Sequence, residues 1–239
     1  MLNQWTAPPR PNSHAETALI NAILDDTFPC GSTLPGERSL ATQLGVTRPT
    51  LREALQRLAR DGWLTVHQGK ATLVNDYLQD GGLNVLSTLV QHSDQLPPNF
   101  VTNLLEVRLN LAPAYTRAAV THSPQSIQPL LNTYALLEDS PQAMAAFDWK
   151  LHRCLTIASQ NPIYALILNG FADFYEQLAE IYFLSAEGRE KSMVFYAELT
   201  TAVSNHNPQA AEAISRAAMR DSLRLWQKGE AARSHAVEK

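Results

Sequence analysis

The sequence has few cysteines, no long apolar run and no excess of positive charge. Its 239 residues include two cysteines, Cys30 and Cys154, which excludes a disulfide framework and a cysteine-based zinc site. No stretch approaches the roughly 18–20 apolar residues that cross a bilayer. Met1 to His14 lack the charged and apolar regions of a signal peptide. These absences predict a cytoplasmic protein without a membrane partner.

The net charge of −4 argues by itself against a nucleic-acid partner, but the distribution of charge reverses that conclusion. Residues 1–75 have 7 basic and 6 acidic side chains, whereas residues 76–239 have 12 basic and 17 acidic ones. Between Glu37 and Lys70, 6 basic residues stand against 3 acidic ones. A cationic region within an acidic chain is typical of a small polyanion-binding domain joined to a second domain. An ordinary solvated surface is the alternative interpretation.

The first part of the chain is predicted to contain three helices followed by a β-hairpin. Residues 1–13, with three prolines, are expected to form no regular helix. Helical spacing of apolar residues, then two β-prone runs, predict elements over residues 14–27, 36–44, 47–60, 63–67 and 71–75. Thr47 is the expected N-cap of the third helix. The buried face of that helix should consist of Leu51, Ala54, Leu55 and Leu58.

The rest of the chain is predicted to be an all-α bundle of about seven helices. Four helix starts pair a capping side chain with a proline, at Ser123-Pro124, Ser140-Pro141, Asn161-Pro162 and Asn207-Pro208. The expected helices cover residues 83–93, 97–121, 124–138, 141–159, 162–184, 187–206 and 208–229. The predicted domains are therefore 1–75 and 83–239, with a linker over 76–82 that contains the hinge candidate Gly81-Gly82.

Helices and hairpin in this order describe a winged helix-turn-helix, with the helix-turn-helix at about 37–56. The second helix of such a pair presents its N-terminal residues to the major groove of DNA. Arg48 can make a bidentate contact to guanine, whereas short hydroxyls suit phosphate. The predicted DNA-binding residues are Arg38, Thr47, Arg48, Thr50, Arg52, His67, Gln68, Gly69 and Lys70. As the alternative, these arginines only keep the surface soluble and Gly69 only makes the turn.

Three segments resemble the signature of the GntR family of transcription regulators: Leu34 to Leu40, Leu44 to Leu55 and Asp61 to Leu64. Further segments resemble the subgroup of that family that responds to acyl-CoA: 58–65, 82–84, 103–108 and 161–170. The likeness covers residues from about 14 to about 230. It implies operator contacts at Arg38, Thr47, Arg48, Thr50, Arg52, Gly69 and Lys70. The wing departs from the expected His-Gly-Lys tip, because the histidine stands one place earlier, at His67, and Pro49 replaces an expected threonine.

Asp148 and His152 are four residues apart, so they share one face of a predicted helix. The resemblance implies that wider relatives use such a pair, with two further histidines, to hold a divalent metal. Tyr196 and Asp221 stand near those two positions, which predicts that no metal is bound here. A regulator that senses a small carboxylate through a metal is the alternative function. No nucleophile–base pair, paired acids or phosphate loop appears, so we predict no enzyme and no catalytic residue.

The resemblance implies that the helical domain binds a long-chain acyl-CoA without a cofactor. The last helix has a cationic face of Arg216, Arg220, Arg224 and Lys228. An ordinary solvated face, with Trp226 packed in the core, is the alternative interpretation of this helix. The resemblance implies that the ligand is contacted by Arg108, Tyr182, Ser222 and Trp226. Three positions depart from the subgroup: Ala218 for an aromatic residue, Met219 for glycine and Ala231 for lysine.

The resemblance as a whole implies a homodimeric transcription regulator of fatty acid metabolism. Such a protein binds palindromic double-stranded operator DNA, represses degradation genes and activates biosynthesis genes. It leaves the operator when long-chain acyl-CoA binds.

Overall fold

The computed structural model describes residues 11–67, 69–91 and 99–237, without the side chains of residues 11, 12 and 231–237. The chain forms two compact units, 1–96 and 97–239. Both are mainly helical, and the first also contains a small hairpin, as predicted. Within the described ranges, no helix is long and apolar enough to cross a membrane.

Unit 1 consists of five helices and one hairpin in its described part. They are α1 (Pro11–Leu24), α2 (Glu37–Gln43), α3 (Arg48–Arg60), β1 (Leu64–Thr65), β2 (Leu73–Val74), α4 (Tyr77–Asp80) and α5 (Asn84–Gln91). The strands pair antiparallel, with Leu64 opposite Val74. Helix α1 begins at Pro11, inside the segment predicted to lack helix. Proline is tolerated there because the first turn of a helix has no use for its missing N–H group.

Helix α3 forms as its sequence predicts. Its N-cap is Thr47, whose hydroxyl accepts a hydrogen bond from the Thr50 N–H at 3.3 Å. The predicted apolar face is buried in full: Leu51, Ala54, Leu55 and Leu58. This face packs α3 against α1 and α2, which leaves its N-terminal arginines on the opposite, solvent-facing side.

The predicted linker 76–82 begins as a packed helix rather than as open chain. The Tyr77 ring of α4 lies against Trp63, with ring centroids 4.9 Å apart. Gly62 has a φ of +90°, and a Cβ at this position would lie 2.5 Å from the Asp80 carbonyl oxygen. Only glycine fits this close approach, which fixes α4 against the end of α3. The exact domain boundaries stay a prediction.

Unit 2 is a bundle of seven helices in its described part. They are α6 (Phe100–His122), α7 (Pro124–Leu131), α8 (Pro141–Ala158), α9 (Pro162–Asn169), α10 (Tyr175–Phe183), α11 (Ala186–Ser204) and α12 (Pro208–Val237). Helix α12 packs on α6 and α11, and α8 packs on α6, α9 and α10. The core includes the buried side chains of Tyr115, Leu151, Leu155, Tyr196 and Leu199.

Three of the four predicted Ser-Pro and Asn-Pro caps are present. Ser140, Asn161 and Asn207 each accept a hydrogen bond from a first-turn N–H group. Ser123 is the exception, because its hydroxyl accepts from the Gln160 side chain at 3.2 Å instead. Its backbone joins α6 directly to α7, and a bond from the turn between α8 and α9 has replaced the local cap.

Two predicted helices are shorter than expected. The helix predicted over 124–138 ends at Leu131 and is followed by a single 3₁₀ turn at Tyr134–Leu136. The helix predicted over 162–184 is two helices, because tight i to i−3 bonds interrupt it from Gly170 to Phe174. The apolar pattern continues through that break, with Phe171 and Phe174 both buried. Periodicity alone therefore did not reveal the interruption.

Candidate functional site

Unit 1 has a groove between α2, the start of α3 and the hairpin. Of the nine predicted DNA-binding residues, six line it together: Arg38, Arg48, Arg52, His67, Gly69 and Lys70. Gln68 lies outside the described residues. Four of the six carry a fixed positive charge, so the groove can accept a phosphate backbone.

The two predicted threonines lie at the N-terminus of α3 and not in the lining of the groove. Thr47 caps the helix, and its hydroxyl oxygen lies 2.8 Å from that of Thr50. Both residues are exposed or half-buried. The bond between the two hydroxyls uses one of their hydrogens, so the other hydrogen can still be donated to a phosphate at the helix N-terminus.

The hairpin turn depends on Gly69, which has a φ of +73°. The Lys70 N–H donates to the His67 carbonyl across this turn at 3.4 Å. A left-handed backbone of this kind favours glycine. Gly69 therefore presents Lys70 beside the groove.

An acidic residue that the sequence analysis did not single out lies in the same groove. Glu37, the first residue of α2, accepts a hydrogen bond from Arg52 Nε at 2.7 Å. Its carboxylate also lies 3.8 Å from Arg48 Nη2. Both arginines stay more than half exposed, at 57% and 58% of their side-chain surface. They can thus still reach a ligand, but from positions that Glu37 helps to set.

Unit 2 contains a cavity that all four predicted ligand residues line: Arg108, Tyr182, Ser222 and Trp226. Most of its wall is apolar and comes from α6, α10, α11 and α12, including Leu104, Leu105, Leu178, Phe195 and Met219. Lys191 of α11 also reaches the lining and pairs with Asp221 at 3.5 Å. The cavity measures about 60 Å³, room for no more than a few water molecules.

A buried carboxylate lies at the inner end of this cavity. Asp148 accepts hydrogen bonds from Tyr175 at 2.6 Å, from Tyr196 at 3.0 Å and from Arg108 Nη2 at 3.2 Å. Burial by itself raises the pKa of Asp148, but the charge that His152 carries in acid, the charge of Arg108 and the two hydroxyls outweigh it, so the pKa is lowered. The carboxylate is therefore ionised, and Arg108 is its fixed counter-ion.

His152 belongs to the same cluster and is completely buried. Arg108 Nη2 lies 2.8 Å from His152 Nε2, and the Tyr115 hydroxyl lies 2.7 Å from Nδ1. Because a guanidinium can only donate, Nε2 accepts and the ring proton sits on Nδ1, facing Tyr115. Burial lowers the pKa of His152 to about 4, opposed by Asp148 and assisted by Arg108. The ring is thus neutral near pH 7.

These residues do not fit a divalent metal. Asp148 and His152 do lie together, as their spacing predicts, with 3.6 Å between Asp148 Oδ1 and His152 Nε2. The Arg108 guanidinium, however, already contacts both of the atoms that would face a metal. Tyr196, at the position of a missing histidine, donates to Asp148. Among the described residues, no group of three His, Cys, Asp or Glu side chains could hold an ion.

The buried histidine predicts a loss of stability in mild acid. The pKa of His152 is 6.5 in the unfolded chain and about 4 in the folded protein. As the pH falls, the unfolded chain therefore binds the proton first. Stability is therefore complete above pH 6.5 and falls as the pH drops toward 4, by about 3 kcal/mol. Urea unfolding measured across that range checks this. His152→Gln should flatten the dependence, and an equal slope in both proteins would contradict the prediction.

The sequence analysis named the cationic residues that line the groove, the four residues that line the cavity and the Asp148–His152 pair. It missed Glu37, Tyr115, Tyr175 and Lys191. Helical periodicity indicates only that such side chains lie on one face of their own helices. No signal in the sequence states which residue of a distant helix they meet.

Comparison with known proteins gives two family matches that together cover almost the whole chain. Residues 11–74 match the model of bacterial regulatory proteins of the gntR family, and residues 75–235 match the FadR C-terminal domain. A fatty acid metabolism regulator protein of Shewanella amazonensis is 43% identical over 218 residues, which cover 91% of each chain. A protein of the same name from Yersinia pestis is 44% identical over 191 residues, 80% of each chain.

Solved structures support the fold. A Listeria monocytogenes protein, Lar, which controls expression of the agr system, superposes with a TM-score of 0.57 at 15% identity. It covers 93% of this chain and 99% of its own. At this identity the match concerns the fold alone.

Proposed function

We propose that long-chain acyl-CoA controls the binding of this chain, which belongs to the GntR family of bacterial transcription regulators, to operator DNA. The chain is a regulator of fatty acid metabolism and not an enzyme. GntR-family regulators bind DNA. The finer proposal is that two copies form a homodimer on a near-palindromic operator in the cytoplasm, where their two heads read two half-sites. Acyl-CoA binding in unit 2 then releases the operator.

The observation that carries the proposal is the lining of the cavity in unit 2. An acyl chain needs apolar walls, and α6, α10, α11 and α12 supply them. The phosphates of coenzyme A need cations, and Lys191 lies in the same lining with 47% of its side chain exposed, whereas Arg108 is held by Asp148. Tyr182 and Ser222 provide hydroxyls between the two kinds of surface. An amphipathic anion is therefore a better match than a small carboxylate.

The size of the cavity implies that binding must open the bundle. Sites that enclose drug-sized ligands measure roughly 300–1,000 Å³, far more than the about 60 Å³ present here. Met219 of α12 lines this cavity and is 4% exposed. A long acyl chain must displace this side chain, so it binds a different packing of α12 from the one described.

Release of DNA follows if the opened bundle favours a different arrangement of the two DNA-binding heads. A ligand shifts an equilibrium only as far as its affinities for the two states differ. Because acyl-CoA needs an enlarged cavity, that difference is large. We extend the proposal to regulation in both directions, with repression of degradation genes and activation of biosynthesis genes.

The proposal is tested by calorimetric titration of the purified protein with palmitoyl-CoA, free palmitate, coenzyme A and Zn²⁺. Tight binding of palmitoyl-CoA, with weaker binding of the other three, is expected. Preferential binding of Zn²⁺, or of a small carboxylate only after Zn²⁺ is added, would support the metal-sensing alternative instead.

Trp226→Ala is expected to weaken palmitoyl-CoA binding by about tenfold or more, because a buried aromatic side chain contributes on the order of 2 kcal/mol of contact. Trp226→Phe keeps most of that surface and should lose much less. Calorimetry measures both affinities, and thermal unfolding confirms that each variant is folded. An unchanged affinity in folded Trp226→Ala would remove Trp226 from the site.

A further inference from the structure

A carboxylate lies among the cations of the groove in unit 1. The described residues that line the groove include Arg38, Arg48, Arg52 and Lys70, and Glu37 is the one acid among them. DNA presents a row of negative phosphates. An acid on a surface that receives phosphate opposes binding, so its presence there requires a physical reason.

Two ordinary explanations account for part of it. Glu37 is the first residue of α2, where an acid is favoured by the helix dipole. It also pairs with Arg52 and lies near Arg48, but both arginines are more than half exposed. Exposed ion pairs add little to stability. The first explanation does not require the carboxylate to face the cations of the groove, and the second contributes too little stability to account for its place there.

We propose that Glu37 is a specificity-determining residue that weakens binding to DNA of arbitrary sequence more than it weakens binding to the operator. This inference rests on the proposed assignment of the groove as the DNA-binding surface. Any phosphate that approaches Arg52 must compete with a carboxylate already hydrogen-bonded to its Nε at 2.7 Å. That competition is the same for every sequence and lowers all phosphate-driven affinity.

Contacts to bases are affected differently. Arg48 lies 3.8 Å from the carboxylate, beyond hydrogen-bonding distance. Its guanidinium can donate two bonds to guanine O6 and N7 without giving up a hydrogen bond to Glu37. The carboxylate meanwhile limits the directions that Arg48 and Arg52 adopt before DNA arrives. Specific binding thus benefits from arginines that are already oriented, whereas non-specific binding loses part of its electrostatic attraction.

The test compares Glu37→Gln with Glu16→Gln, a matched control. Glu16 of α1 accepts from Arg57 Nη1 at 3.1 Å, and neither residue lines the groove. Both variants lose one carboxylate, one arginine pair and one unit of negative charge. Fluorescence anisotropy measures their binding to two duplexes over a range of salt. One duplex is selected by the wild-type protein from a randomised pool, and the other is its scrambled counterpart.

Glu37→Gln is expected to bind the scrambled duplex about threefold more tightly than Glu16→Gln, which is the size of one screened charge interaction. Its logarithmic salt dependence should steepen by about 0.9, equivalent to one further phosphate contact. Affinity for the selected duplex should change by less than about twofold, because the phosphate attraction gained is offset by the loss of the order that Glu37 imposes on Arg48 and Arg52. Glu37→Asp keeps the charge and should resemble the wild type on scrambled DNA.

Equal effects of Glu37→Gln and Glu16→Gln on the scrambled duplex would overturn the inference, because net charge would then explain both. Weaker binding of both duplexes by Glu37→Gln would also overturn it, because Glu37 would then only position the arginines. A separate result would contradict the proposed operator function: the wild-type protein would enrich no sequence from the randomised pool. In that case, binding of Glu37→Gln and Glu16→Gln to a duplex of arbitrary sequence still decides whether Glu37 lowers non-specific affinity.

Discussion

Replacing Arg108 with methionine is expected to lower the free energy of unfolding by about 3–5 kcal/mol, the cost of leaving a buried charge without its partner. Asp148 is 6% exposed, and Arg108 is the fixed cation within hydrogen-bonding distance of it. Methionine fills similar space but donates nothing. The hydroxyls of Tyr175 and Tyr196 remain, yet neither neutralises the carboxylate.

Arg117→Met is the matched control on the same helix. Arg117 pairs with Glu212 at 3.3 Å, and 55% of its side chain is exposed. Its loss should cost less than about 1 kcal/mol because solvent screens the pair. Urea unfolding at pH 7 gives both values, and equal losses would show that Asp148 does not depend on Arg108.

A second substitution separates charge from packing. Adding Asp148→Asn to Arg108→Met removes the uncompensated carboxylate, so the double variant should recover part of the lost stability. The coupling energy of such a cycle is largest for residues in one hydrogen-bonded network. A double variant that is less stable than Arg108→Met would assign the loss to packing of the arginine stem instead.

The cluster around Asp148 illustrates which contacts a sequence can predict. Asp148 and His152 are four residues apart on one helix, so their proximity follows from helix geometry alone. Arg108 stands 40 positions away from Asp148 and meets it only because α6 packs on α8. The resemblance named Arg108 as a ligand residue. The sequence contained no indication that the same side chain would neutralise a buried acid.

The same division applies to the secondary structure. The start of α3 was predictable because Thr47 caps it by a bond to a residue three positions ahead. Ser123 has the same local signal, but Gln160 from beyond α8 occupies its hydroxyl. Local hydrogen bonds can be anticipated from spacing, whereas competition from a residue distant in the sequence cannot. Glu37 was missed for this reason too, since its partner Arg52 lies across the turn between two helices.

Replacing Arg48 with alanine is expected to abolish preference for the operator while leaving a folded protein. One bidentate arginine–guanine contact gives about 1–3 kcal/mol of discrimination, and the proposed symmetric dimer would make that contact twice. Affinity for a selected duplex should therefore fall by roughly 30-fold to 10⁴-fold. The Arg48 side chain is exposed, and its Nη2 lies 3.8 Å from the Glu37 carboxylate, beyond hydrogen-bonding distance. Its loss should therefore hardly change the stability of the protein.

Arg57→Ala is the control for the lost charge, since Arg57 belongs to the same helix but pairs with Glu16 away from the groove. Gel shifts at fixed salt compare both variants on the selected and scrambled duplexes. Loss of an arginine that contacts only phosphate would weaken binding to both duplexes alike, because every sequence presents the same backbone. Loss of an arginine that contacts a base would weaken binding to the selected duplex alone. Retained preference in folded Arg48→Ala would therefore assign base recognition to a different residue of the groove.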